Sequence, residues 1–169
     1  MKVAVLAEVQ PGERRVALVP AIVKDLLKAG AEVTVQSGAG LPASIPDSEY
    51  VEAGATIAPD VASTVAGASV LLGVQARPEG SGPGELGGLP KGMVVISFMD
   101  PLGSPQRARV MADAGLSAFS MELIPRTTRA QRMDALSSQA TVAGYKAVLM
   151  AADALPKLMP MFMTCLLYT

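Results

Sequence analysis

The chain has 169 residues, half of them hydrophobic, with 17% charged and 4% aromatic, so a sizeable core must be built mainly from Ala, Val, Leu and Met. Fourteen basic residues against fifteen acidic ones exclude the broad basic footprint of a nucleic-acid binder. The lone Cys165 supports no internal disulfide, and without any histidine a His/Cys metal cluster is excluded.

Lys2 to Ala7 is a short β-branched run that predicts a buried first strand. A loop follows, with Pro11-Gly12 and the charged triplet Glu13, Arg14 and Arg15. Pro20 to Ala29 carries a helix pattern stopped by Gly30, and Ala31 to Gln36 alternates as a second strand, which makes a right-handed βαβ unit the expected start. Gly38 to Ala43 matches the dinucleotide fingerprint G-x-G-x-x-A in form. We reject it as a phosphate loop, because Pro42, Pro46 and a polar stretch delay the helix that must open at once.

Further along, short helices are expected at 47–53 and 61–66, strands at 55–58 and 69–74, the latter central, and a glycine-rich crossover at 75–92. Strands at 93–98 and 116–121 flank a helix from Ser104 to Ala114. Alternation of this kind predicts a doubly wound α/β domain, a mostly parallel sheet flanked by helices of Rossmann-like or flavodoxin-like type.

Polar groups concentrate between Met121 and Tyr145. Pro125 ends the last strand, and Thr127 or Thr128 can cap a helix whose apolar positions are Met133, Leu136, Val142 and Val148. Arg126, Arg129, Gln131, Arg132, Asp134, Ser137, Ser138 and Gln139 sit on it or on the loop before it. Loops that follow strands of an open parallel sheet line ligand crevices, which makes this cluster a candidate site rather than a solvated helix start. No amino-terminal export segment is visible, so the chain reads as cytoplasmic. The longest apolar run, Thr141 to Leu155, is interrupted by Lys146 and Asp153, which leaves no direct membrane span.

The run Pro-Arg-Thr-Thr-Arg-Ala-Gln-Arg-Met-Asp-Ala-Leu-Ser-Ser-Gln-Ala at 125–140, then Ala-Gly-Tyr at 143–145, resembles the NAD(H)-binding alpha subunit of proton-translocating nicotinamide nucleotide transhydrogenase. The segments at 11–20 and 37–40 fit as well; alanine dehydrogenase is the related family. The resemblance implies that Arg126, Gln131, Asp134 and Ser137 contact the nicotinamide end of NAD(H), with Arg15, Arg129 and Ser138 lining the cleft. It implies NADP(H) on a partner subunit, a homodimer, membrane subunits, and a location peripheral to the inner face of the bacterial membrane. Arg132 departs from the pattern, which has a small polar residue there.

An alanine dehydrogenase would carry a lysine near 75 and a histidine near 99; here stand Gln75 and Met99. An amino-acid oxidoreductase is therefore the disfavoured alternative, and a noncatalytic α/β interaction domain is the other. The resemblance makes 1–164 the amino-terminal domain, with 129–155 a connecting helix toward a missing NAD-binding subdomain. On this reading the fragment alone is inactive. Residues 165–169, Cys-Leu-Leu-Tyr-Thr, resemble a translated transposon-end sequencing adapter and are expected to be a non-native tail.

Overall fold

The structure, a computed structural model, describes residues 1–157; the expected tail at 165–169 lies outside them. The chain divides into two units, Met1–Ile124 and the segment from Pro125 onward.

The first unit is a six-stranded sheet in the order β3-β2-β1-β4-β5-β6, with every neighbouring pair parallel. Its strands are β1 (Lys2–Val5), β2 (Glu32–Gln36), β3 (Thr56–Ala58), β4 (Val70–Gln75), β5 (Val94–Phe98) and β6 (Ser117–Ser120). The helices are α1 (Pro20–Lys28), α2 (Asp47–Glu52), α3 (Val61–Val65) and α4 (Pro105–Asp113). The doubly wound expectation holds, and β4 stands beside β1 at the middle of the sheet. The crossover at 75–92 contains only one turn of 3-10 helix, Leu86–Gly88.

Two apolar clusters form because alternate strand residues point to opposite faces. Val3, Val5, Val33, Val35 and Val70 pack with Val23 of α1 and Tyr50 of α2. Ala4, Leu71 and Val95 pack with Val65 of α3 and Met111 of α4. Burying each Val or Leu contributes roughly 1.5–3 kcal/mol, which is why short β-branched runs suffice to hold strands in the interior.

Gly30 stops α1 as expected: with φ +79 it lets the Ala31 amide turn back to the Leu26 carbonyl at 3.0 Å. The glycine pair at 38–40 has a different use from phosphate binding. Asp47 fills the loop, accepting from the Gly38 amide at 2.9 Å and the Ser37 hydroxyl at 2.7 Å, so a carboxylate already occupies the loop's donors. At Gly40 an added Cβ would lie 2.6 Å from the Ile45 carbonyl oxygen and 2.8 Å from the Tyr50 ring. Gly40→Ala is therefore expected to cost about 3 kcal/mol, since the obstructing atom is backbone and cannot rotate away. Equilibrium urea unfolding of the variant checks this.

The second unit consists of a 3-10 helix, Thr128–Met133, a break at Asp134, and α5 (Ala135–Ala154). Here the structure corrects the expected helix start. Neither Thr127 nor Thr128 caps it; Asp134 does, accepting from the Ser137 amide at 2.9 Å. Ser104 likewise stands at the start of α4 without a side-chain cap bond. Among the described residues no helix is long and apolar enough to cross a membrane.

Candidate functional site

Two polar constellations stand out, one in each unit. In the sheet, strand order reverses between β1 and β4, the position where open α/β folds place a ligand crevice. The carboxyl end of β1 leads into Glu8, whose carboxylate accepts from the amides of Val74 at 2.7 Å and Gln75 at 3.2 Å. Glu13 takes the Arg15 guanidinium through Nε at 2.8 Å and a second nitrogen at 2.5 Å, and also accepts from Gln75 Nε2 at 3.0 Å. The Arg15 hydrogen bonds hold the Glu13 carboxyl at about 2, against the opposing effect of burial. Arg77, buried, donates to the carbonyls of Gly84 at 3.0 Å and Ala7 at 2.8 Å.

This crevice is lined by the chain's own carboxylates. With no glycine-rich loop after β1 and two acidic side chains in its place, it presents the wrong charge to a pyrophosphate. Arg15 is part of a fixed ion pair with Glu13, and Gln75 holds the same carboxylate.

In the second unit, Arg126, Thr127, Thr128, Gln131 and Asp134 line an open concavity of about 290 Å³. A 3-10 helix has three residues per turn, so Thr128 and Gln131 stack in one column that continues to Asp134. Ala130 belongs to another column and is buried. Asp134 carries the site's negative charge. Its two oxygens accept from the Ser137 hydroxyl at 2.6 Å and amide at 2.9 Å, and Arg126 Nε stands 3.9 Å away. Those Ser137 bonds, aided by the Arg126 charge, hold the Asp134 carboxyl below the usual carboxylate range.

Of the residues singled out from sequence, Arg126, Gln131 and Asp134 come together around the concavity. Ser137 stands behind Asp134 and orients it. Arg129 does not line the concavity, and Ser138 turns its hydroxyl back to the Ala135 carbonyl at 3.1 Å. Arg15 lies in the other unit. Sequence reasoning misses Thr127 and Thr128 as lining residues, because both read as caps. The signal that could find them is the three-residue spacing from Thr128 to Gln131 to Asp134.

A parallel sheet wound in this order, followed by a polar 3-10 segment with a capped carboxylate, defines an α/β domain of the dinucleotide-enzyme class. The family described as alanine dehydrogenase/PNT, N-terminal domain, matches residues 4–143, and the chain belongs to it. It is 41% identical over 166 residues to an NAD(P) transhydrogenase subunit alpha polypeptide of Rhodospirillum rubrum, covering 97% of this chain and 43% of that protein. The crystal structure of transhydrogenase from Sinorhizobium meliloti superposes with a TM-score of 0.86 at 45% identity, over 98% of this chain and 48% of that one. Alanine dehydrogenase of Halomonas elongata is more distant, at 31% identity over 93% of this chain and 41% of that protein. The chain thus spans less than half the length of these relatives.

Proposed function

We propose that this chain is the amino-terminal portion of the NAD(H)-binding subunit of a proton-translocating NAD(P) transhydrogenase. The observation that carries the reading is the concavity lined by Arg126, Gln131 and Asp134, on the segment whose sequence most resembles that subunit. Hydride transfer between two nicotinamides needs no acid, base or metal, because the rings are themselves donor and acceptor. The protein's task is to hold the rings in contact and exclude water.

In this role the Gln131 amide, both donor and acceptor, matches a carboxamide, while Asp134 and Arg126 offer a hydroxyl acceptor and a cation that balance each other. Ser137 fixes the Asp134 carboxylate through two hydrogen bonds, so the acceptor needs no reorientation when ligand arrives. The acidic lining of the crevice between β1 and β4 supports placing the pyrophosphate loop in the remainder of the full-length subunit. NADP(H) belongs to a partner subunit, the subunit pairs as a homodimer, and membrane partners hold the assembly at the inner face of the bacterial membrane.

The test is hydride transfer from NADH to NADP+ by the full-length subunit assembled with its membrane and NADP(H)-binding partners. Pyruvate- and ammonia-dependent NADH oxidation serves as the contrast. Transfer in the first assay and none in the second is the expected result; the reverse would make the protein an amino-acid dehydrogenase. Residues 1–164 alone are expected to show weak NAD affinity and no turnover.

A further inference from the structure

Thr127 occupies the capping position of the 3-10 helix with extended backbone, φ −111 and ψ 158, yet makes no side-chain cap bond. Among the described residues the Thr128 hydroxyl has no hydrogen-bond partner either, although it faces a polar concavity. A threonine hydroxyl near a helix start ordinarily satisfies a backbone amide. Here that work falls to Asp134, six residues on, so the Thr128 hydroxyl is left for something else.

Its place in the column says what. Thr128 lies one 3-10 turn before Gln131, about 6 Å along the axis. That is about the separation between the carboxamide of a nicotinamide nucleoside and its sugar hydroxyls. Asp134, one turn further on, is already committed to Ser137 and Arg126. Resting on the reading that Gln131 meets the carboxamide, we propose that the Thr128 hydroxyl binds the ribose on the nicotinamide side. A single group that both donates and accepts suits a sugar hydroxyl, which also does both. Arg129 and Arg132, one step round the helix, do not line the concavity and take no part in this contact.

The experiment compares two probes on the 169-residue chain by NMR: nicotinamide riboside, which has the sugar, and 1-methylnicotinamide, which does not. Titration into the millimolar range follows the Gln131 side-chain amide and the Thr128 backbone amide. The wild-type chain is expected to bind the riboside about three- to tenfold more tightly, the range for one hydrogen bond. Thr128→Val, isosteric but without the hydroxyl, is expected to bring that ratio close to one, and Thr128→Ser to restore it. A ratio unchanged in Thr128→Val overturns the assignment of Thr128 while leaving the nicotinamide reading intact. If neither probe shifts the Gln131 amide in the wild-type chain, the nicotinamide reading itself falls, and this inference with it.

Discussion

Asp134→Ala in the full-length subunit is expected to lower kcat/KM for hydride transfer by about a hundredfold, the scale of loss when a reacting ring is held an ångström out of place. Two roles converge on this carboxylate. It lines the concavity, and it caps α5 by taking the Ser137 amide at 2.9 Å and hydroxyl at 2.6 Å. Alanine removes both, leaves Arg126 without its counter-charge, and frees the first turn of α5 to fray. Asp134→Asn keeps an oxygen that can accept from the Ser137 amide, so it is expected to retain the helix and lose the charge. Near wild-type folding by circular dichroism with low activity would assign the loss to the carboxylate's charge.

Because the Ser137 bonds and Arg126 depress the Asp134 pKa, the group stays ionised through the ordinary carboxylate range. Its contribution to the site is present above that range and lost only as pH falls through the depressed value. A pH profile of hydride transfer in the wild type, set against Asp134→Asn, checks the sign. Unchanged hydride transfer in Asp134→Ala would instead make the segment a noncatalytic interaction surface.

Tyr50→Ala is the second large effect, and it acts on the scaffold. Tyr50 is fully buried at the centre of the α1–α2 face, and its hydroxyl donates to the Leu18 carbonyl at 2.7 Å, across 32 residues of chain. Truncation is expected to cost about 4 kcal/mol, a ring-sized cavity plus an unpaired carbonyl. Tyr50→Phe isolates the hydrogen bond at roughly 1–2 kcal/mol. Burial, then Asp47 and Glu49, push the phenol up to about 12. The neutral form is favoured in the folded chain, so this stability is complete below the unfolded tyrosine pKa of about 10 and fades as pH rises toward 12. Denaturant melts between those values should show a slope in the wild type that Tyr50→Phe lacks.

The strands were legible because buried parallel strands read as continuous apolar runs, and Val70 to Val74 or Val94 to Ile96 can hardly be anything else. The rejection of the Gly38 fingerprint was legible too, since prolines forbid the helix a phosphate loop requires. The start of the last helix was not. Thr127, Thr128 and Asp134 are all good caps within eight residues, and local propensity cannot rank them; the direction in which the chain leaves Pro125 does.

By itself, then, the sequence determined the alternating α/β architecture and the segment that carries the polar site, because both depend on patterns a few residues long. Only the tertiary structure decided that Thr128, Gln131 and Asp134 share one column, since that depends on whether the backbone winds with three residues per turn or 3.6. Only the tertiary structure brought Glu8 to the amides of Val74 and Gln75, and Glu13 to Gln75. Those contacts join residues more than sixty apart, and they exist because parallel pairing of β1 with β4 brings the ends of two distant runs side by side.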